Sequence, residues 1–238
     1  MGRVSPLISA APSLEEILSV IKVLQNWQEV GEATLGLQRK GLPTHITVQK
    51  NWDQFLLDQV LTTLDKQSWI LDLGCGDCCT LDFLAALGFT NLHGIDLKIK
   101  KQASNLPYKL YEGDMTATPF PSQFYDFALS ISAVEHGVDL EAFFKEAHRL
   151  LKTGGLLFIT TDYWEEKIQV EELIRPFGVS WEIFSKAEIQ AALTLAKNCG
   201  FILEQNVNIP ACADETVFWY NKNYTFIALA FRKGKGRE

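Results

Sequence analysis

The sequence of 238 residues predicts an α/β fold built around a parallel sheet, and three observations support this prediction. Short apolar runs of the kind found in buried strands alternate with helical patterns between residues 69 and 161. A glycine-rich turn separates the first of these strands from the helix that follows it. Hydrophobic residues make up 47% of the chain and charged residues 21%, so a large core can be buried. Right-handed crossovers would place a ligand at the carboxyl ends of the strands.

Residues 1–66 precede the first buried strand and contain two helical patterns. The capping-box sequence Ser13-Leu-Glu-Glu16 predicts a helix that runs to Leu24. The polar, glycine-punctuated stretch from Gly31 to Gly41 predicts a loop. A second helix is expected from about residue 51 to residue 65. The segments Gly41-Leu-Pro-Thr-His45 and Lys50-Asn-Trp-Asp53 are polar and aromatic and could line a pocket, although a surface loop is the simpler interpretation.

The remaining elements follow in alternation. Strands are expected at residues 69–73, 92–95, 108–111, 125–130, 156–161, 201–207 and 225–231. One helix is expected to follow the glycine turn and to end near Gly88. Two further helices are expected at residues 140–151 and 185–199, and Lys152-Thr-Gly-Gly155 is interpreted as the stop signal of the first.

The glycine turn indicates the kind of ligand. Gly74 and Gly76 follow the strand Trp69–Leu73 directly, and the helical pattern begins just after them. An acidic residue at the end of the next strand, about 20 residues on, typically binds a ribose, and Asp96 occupies that place. The arrangement predicts a nucleoside-binding unit.

Two details favour one class of nucleoside. A dinucleotide fingerprint that starts at Gly74 requires a third glycine at position 79, where this chain has Cys79. Asp72 instead places an acid beside the turn, which suits a ligand with a cationic end better than a diphosphate. The segment Asp72-Leu-Gly-Cys-Gly76 resembles the first motif of the class I S-adenosylmethionine-dependent methyltransferases, and Asp96 with Leu97 resembles the second.

Three further segments extend the resemblance. Tyr111-Glu-Gly-Asp-Met115 is similar to the third motif of the family, Ser130-Ile-Ser-Ala-Val-Glu-His-Gly137 to the fourth, and Leu150-Leu-Lys-Thr-Gly-Gly-Leu156 to the signature after it. The resemblance implies a Rossmann-like, seven-stranded, mostly parallel sheet with an antiparallel last strand. It also implies an N-terminal helical cap over residues 1–66 and an S-adenosylmethionine-binding domain over residues 67–238.

The resemblance also implies roles for single residues. The backbone of the glycine loop would bind the amino acid end of S-adenosylmethionine, with an acid to orient its ammonium. A second acid would bind the ribose diol, a third the adenine amine, and apolar side chains the adenine ring. The expected cofactor-binding residues are Asp72, Gly74, Cys75, Gly76, Asp96, Leu97, Asp114, Met115 and Ser130.

His136 and His45 are the candidate catalytic residues. A base is needed only when an acceptor hydroxyl must lose a proton, so a purely structural role for either histidine stays open. No metal is expected, because Ser132 stands where some relatives have a glutamate ligand. Cys75-Gly-Asp-Cys78 has the spacing of a redox or zinc pair, but no second pair completes it.

The predicted function is methyl transfer to a small molecule, with oxygen as the acceptor atom. The alternatives are a protein that binds S-adenosylmethionine without turnover and a nicotinamide-dependent oxidoreductase. The net charge of −7 disfavours a nucleic-acid partner. No stretch suits a signal peptide or a bilayer span, so we expect no membrane partner and a reducing, cytoplasmic setting. The oligomeric state is not predicted.

Overall fold

The computed structural model describes residues 21–101, 104–202 and 208–234. The strands within these ranges are β1 (Ile21–Val23), β2 (Trp69–Leu73), β3 (Asn91–Asp96), β4 (Lys109–Glu112), β5 (Tyr125–Ile131), β6 (Leu151–Tyr163), β7 (Phe201–Ile202), β8 (Val217–Trp219) and β9 (Lys222–Lys233). The α-helices are α1 (Trp27–Arg39), α2 (Lys50–Val60), α3 (Cys79–Ala86), α4 (Leu140–Leu150) and α5 (Lys186–Asn198), with short 3₁₀ helices at Leu61–Thr63 and Pro176–Gly178.

The sheet has the order β1-β9-β6-β5-β2-β3-β4, and the short strands β7 and β8 also pair with β9. Strands β6, β5, β2, β3 and β4 are mutually parallel, whereas β9 runs antiparallel to β6. The predicted mostly parallel sheet with an antiparallel last strand is therefore confirmed, but the predicted number of seven strands is wrong, because nine strands pair among the described residues. No helix among the described residues is long and apolar enough to cross a membrane.

The helix predicted to reach Leu24 is wrong at its C-terminal end, and residues 13–20 lie outside the described ranges. Ile21–Val23 form β1, which pairs antiparallel with β9 at residues 227–229. The backbone N–H of Leu24 donates to the carbonyl oxygen of Phe226 at 2.9 Å and extends this pairing. The exposed edge of β9 offers ladder hydrogen bonds that a local helical pattern cannot reveal. The N-terminal region thus contributes a strand to the sheet as well as helices.

The loop predicted from Gly31 to Gly41 is also wrong, because α1 occupies most of it. Asn26 caps this helix by accepting a hydrogen bond from the Glu29 backbone N–H. The helix buries one face, formed by Val30, Ala33 and Leu37. A Cβ at Gly36 would lie 2.5 Å from the Phe55 ring, so this glycine permits close packing of α1 against α2. Gly36, one of the glycines in this stretch, therefore serves helix packing.

The expected stop signal Lys152-Thr-Gly-Gly155 lies inside β6, which begins directly after α4 ends at Leu150. A Cβ at Gly155 would lie 2.9 Å from the Lys152 carbonyl oxygen, so glycine fits a tight irregularity in the strand. The strand predicted at residues 201–207 is observed at Phe201–Ile202, and its remainder lies outside the described residues.

The sheet separates two hydrophobic cores. Residues of α1, α2 and α3 pack on one face, and residues of α4 and α5 pack on the other. This three-layer arrangement leaves the carboxyl ends of the parallel strands as the place where the loops that carry the predicted motifs meet.

Candidate active site

The glycine loop after β2 is shaped by left-handed backbone conformations. Gly74, Gly76 and Cys78 have φ angles of +83°, +49° and +68°. A Cβ at Gly74 would lie 2.5 Å from the Ala133 Cβ and 3.5 Å from the Met115 sulfur. The loop therefore requires glycine at position 74, and it brings three of the predicted motifs together. Cys78, in its left-handed conformation, is the N-cap of α3.

The backbone N–H groups of the loop are bonded within the protein in this structure. Gly74 and Cys75 both donate to the carbonyl oxygen of Ile95, at 2.9 and 3.1 Å. Gly76 donates to the Asp96 Oδ2 atom at 2.9 Å. The end of β3 lies directly beside the loop and supplies these acceptors. The three amides thus fix the loop to β3 in this structure.

Asp96 combines this bond with a second one, because its Oδ1 atom accepts from the Lys98 backbone N–H at 3.1 Å. The side chain is half-buried, and each carboxylate oxygen keeps a further lone pair. The next residue, Leu97, is 64% exposed. A fixed carboxylate beside an exposed apolar side chain is an arrangement that can bind a ribose diol and one face of a base.

Asp72 lies in β2 and is buried. Burial raises the pKa of its carboxyl group to about 8, and the negative charges of Asp96 and Asp77 add to the effect. The carboxyl group therefore holds a proton over much of the neutral range. A cationic ligand group nearby would favour its ionised form.

The other predicted cofactor residues are Asp114, Met115 and Ser130. Asp114 is exposed, and its Oδ1 atom accepts from the backbone N–H and hydroxyl of Thr116 at 2.8 and 2.7 Å. Met115 lies against Gly74, as described above. Ser130 is fully buried and donates its hydroxyl proton to the Leu73 carbonyl oxygen at 2.8 Å, which ties β5 to β2. Ser130 therefore joins two strands, and its contact with the cofactor stays a prediction.

The cysteines near the loop do not resemble a reactive pair. Cys75 and Cys78 are free and buried, and burial raises the pKa of both thiols. A redox or metal-binding pair needs thiolates at neutral pH. Their positions favour packing within the loop.

His136 follows β5, and its ring lies 5.3 Å from the Phe177 ring and 6.5 Å from the Trp219 ring. Its Nδ1 atom is buried and has no hydrogen-bond partner among the described residues. Burial lowers the pKa of the imidazole to about 4, and the positive charge of Lys50 contributes. The ring is therefore neutral at physiological pH and a weak base.

His45 lies elsewhere, on the loop that precedes α2. Its backbone N–H donates to the Asn51 side chain at 2.7 Å, and its Nδ1 atom accepts from the Thr47 N–H at 2.9 Å. Potential metal ligands of His45, Asp77 and Cys79 lie within 4.8 Å of one another, so this loop contacts the glycine loop. The absence of a catalytic metal stays a prediction.

Sequence reasoning missed the buried charges next to His136. The Lys50 ammonium hydrogen-bonds the Ser132 hydroxyl and lies 3.3 Å from the Asp53 carboxylate. Glu135 and Asp162 are also buried, at 1% and 3% exposure. The sequence suggested a pocket role for Lys50 and Asp53, but no local pattern linked them to Asp162, which ends β6 a hundred residues later.

Comparisons with known proteins agree with this geometry. Residues 71–159 match the family described as "Methyltransferase domain". The chain is 28% identical over 167 residues to the sterol 24-C-methyltransferase erg6 of Aspergillus fumigatus, a match that covers 63% of this chain and 44% of that protein. It is 30% identical over 140 residues to a ubiquinone biosynthesis O-methyltransferase of Pelagibacter ubique, covering 51% and 57%. The chain thus spans about half the length of these curated relatives.

Solved structures share the fold. A geranyl diphosphate C-methyltransferase of Streptomyces coelicolor superposes with a TM-score of 0.59 at 16% identity, over 86% of this chain and 83% of that one. A phosphoethanolamine N-methyltransferase 2 of Haemonchus contortus superposes with a TM-score of 0.58 at 16% identity, over 77% and 52%. The family match over residues 71–159 and the shared fold agree with the class I S-adenosylmethionine-dependent methyltransferase that the motifs predicted.

Proposed function

We propose that this protein binds S-adenosylmethionine at the glycine loop and transfers its methyl group to a small molecule. The observation that carries the proposal is the hydrogen bond from the Gly76 backbone N–H to the Asp96 carboxylate. This bond holds the carboxylate that would bind the ribose against the glycine loop, at the ends of β2 and β3. The matched family and the named relatives, all methyltransferases, support it.

In this proposal Asp96 accepts hydrogen bonds from the ribose hydroxyls, and Leu97 and Met115 contact the adenine ring. Asp114 accepts from the adenine amine, and Asp72 offers negative charge to the cationic end. Gly74, Cys75 and Gly76 shape the loop without direct amide contacts, since their N–H groups already have partners. When bound, S-adenosylmethionine supplies an activated methyl group on a sulfonium.

The chain's own task is then to hold the acceptor in line with the methyl and the sulfur, about 3–3.5 Å from the methyl carbon. His136, beside Phe177 and Trp219, forms a wall of the acceptor side in this proposal. We propose oxygen as the acceptor atom. Because His136 is a weak base, a hydroxyl that ionises readily, such as that of a phenol, fits best.

We also propose that residues 1–66 act as a cap on the site. Two contacts favour this role: Lys50 reaches Ser132, and His45 lies beside Asp77 and Cys79. A cytoplasmic location and the absence of nucleic-acid and membrane partners stay predictions.

Turnover is tested by incubating the protein with methyl-labelled S-adenosylmethionine and a metabolite extract. We expect S-adenosylhomocysteine and a labelled small molecule, and mass spectrometry then identifies the atom that gained the methyl group. Binding of the donor with no S-adenosylhomocysteine in any extract would favour the alternative of a binding protein without turnover.

His136→Ala should raise the KM of the acceptor and leave the shape of the pH–rate profile unchanged. The reason is that the low pKa of the imidazole makes it a poor general base near pH 7. Steady-state kinetics between pH 5 and 9 would show the effect, with His136→Gln as a variant that keeps a polar side chain of similar size. A loss of 10²–10⁴-fold in kcat at constant KM, of the size that general-base removal produces, would contradict this account.

A further inference from the structure

An aromatic cluster surrounds His136 on the acceptor side. Five rings form it: Phe177, Trp181, Trp219, Tyr220 and Tyr224. The Trp219 ring lies 6.3 Å from that of Phe177 and 4.9 Å from that of Trp181, and the Trp181 ring lies 5.9 Å from that of Tyr224. Phe177 is 76% exposed while Trp181 is buried, so the cluster leads from the surface into the interior.

Three buried carboxylates lie next to this cluster, and two of them accept hydrogen bonds from neighbouring side chains. The Trp181 indole N–H donates to Asp162 at 2.8 Å. The Thr161 hydroxyl donates to Glu135 at 2.9 Å. The third carboxylate, Asp53, is buried and ion-paired with Lys50, whose ammonium lies 3.3 Å from its Oδ2 atom. The buried Nδ1 atom of His136 has no hydrogen-bond partner among the described residues. An unpaired buried polar atom is costly, which points to a ligand group that completes it.

Two basic side chains lie near this region. The Lys100 ammonium is 5.7 Å from the centroid of the exposed Phe177 ring, whereas the buried carboxylates are reached by Lys50. The Lys50 ammonium lies 3.7 Å from the centroid of the Phe226 ring and 3.3 Å from Asp53. An ammonium over an aromatic face and beside a carboxylate shows which charge this environment stabilises. One positive charge leaves two of the three carboxylates uncompensated when all are ionised.

The surrounding surface has the same sign. The insertion at residues 164–184, which carries Phe177 and Trp181, contains five glutamates and two basic residues. Lys167 is paired with Glu182 and Glu188, and Arg175 donates to the Glu172 carbonyl oxygen, so the five glutamates leave this segment with a net negative charge. Such a surface attracts cations and repels anions.

We propose that the acceptor site takes an organic cation, with its ammonium group held between the rings of Phe177 and Trp219 and the carboxylates of Asp53, Glu135 and Asp162. This inference rests on the proposed function only in naming the ligand as the methyl acceptor. It specifies how the acceptor is recognised and leaves its methylated atom as proposed above.

The pH dependence of cation binding provides a further test of this proposal. Burial raises the pKa of Asp162 to about 6, and burial also raises the pKa values of Asp53 and Glu135. The other titratable groups that face these carboxylates are Lys50, His45 and Tyr224. Bound cations favour ionised carboxylates, so affinity for a permanently charged ammonium should rise between pH 5 and pH 7.5.

The experiment compares choline with its uncharged isostere 3,3-dimethylbutan-1-ol on the full chain saturated with S-adenosylhomocysteine. Binding is followed by tryptophan fluorescence and by ligand-observed NMR. We expect choline to bind at least ten-fold more tightly than the isostere and to tighten as the pH rises. Trp219→Ala should weaken choline binding about ten-fold, Trp219→Phe should retain most of it, and the exposed Trp27→Ala should match the wild type.

Equal binding of choline and its isostere, or no binding of either, would overturn the inference. So would choline binding that is unaffected by Trp219→Ala. Calorimetric titration of the same variants with S-adenosylhomocysteine shows whether they still bind it. This measurement distinguishes failure of the cation site from failure of the proposed function. Loss of choline binding with intact S-adenosylhomocysteine binding concerns the cation site alone.

Discussion

Asp96→Ala is expected to weaken S-adenosylmethionine binding by on the order of 100-fold or more while the protein stays folded. In the proposed complex, the substitution removes two charge-assisted hydrogen bonds to the ribose, each worth about 1.5–3 kcal/mol. It also releases the Gly76 and Lys98 backbone N–H groups, so the glycine loop loses an anchor. Calorimetric titration of the donor measures the effect directly.

Asp96→Asn and Asp65→Ala are the controls. The asparagine keeps one acceptor oxygen and should fall between the wild type and the alanine variant. Asp65 is another exposed acid that caps a turn, by accepting from the Gln67 backbone N–H, but it lies before β2 and away from the loop. Unchanged donor affinity in folded Asp96→Ala would remove Asp96 from the site.

Asp72→Asn is expected to stabilise the ligand-free protein at neutral pH and to weaken its binding of the donor. Burial holds the pKa of Asp72 at about 8 in the folded state, well above its ordinary value of 3.8. The folded protein therefore keeps a proton that the unfolded chain loses, and its stability falls as the pH rises from about 4 to about 8. An uncharged asparagine removes that loss, which amounts to about 2–5 kcal/mol at pH 8.

Denaturant unfolding of both proteins at pH 4, 6 and 8 measures the difference. The variant and the wild type should have similar free energies of unfolding at pH 4 and diverge as the pH rises. Donor binding by the wild type should strengthen over the same range and release protons, because the cationic end favours ionised Asp72. A variant that is less stable at pH 8 than at pH 4, relative to wild type, would contradict the role of burial.

Local signals in the sequence predicted the strands best. The bounds of β2 were predicted correctly because the run Trp69–Leu73 is apolar, and four of its five residues are buried. The link from Gly76 to Asp96 was predictable too, since the 20-residue spacing reflects one strand-helix-strand unit.

Features that depend on distant parts of the chain were not predictable. Gly36 suggested a loop, because the tertiary contact with Phe55 that explains this glycine is not visible in the local sequence. β1 forms only because the edge of β9, two hundred residues later, accepts it. Lys50 and Asp162 come together through the packing of α2 on the sheet, and nothing in either local sequence indicates the other.

Calorimetric titration of the full chain with S-adenosylhomocysteine and, in parallel, with NAD tests the central claim most directly. Asp72, Asp96 and the glycine loop, with Cys79 where a dinucleotide fingerprint needs glycine, predict one bound S-adenosylhomocysteine per chain and no heat from NAD. Binding of NAD without binding of S-adenosylhomocysteine would contradict the account.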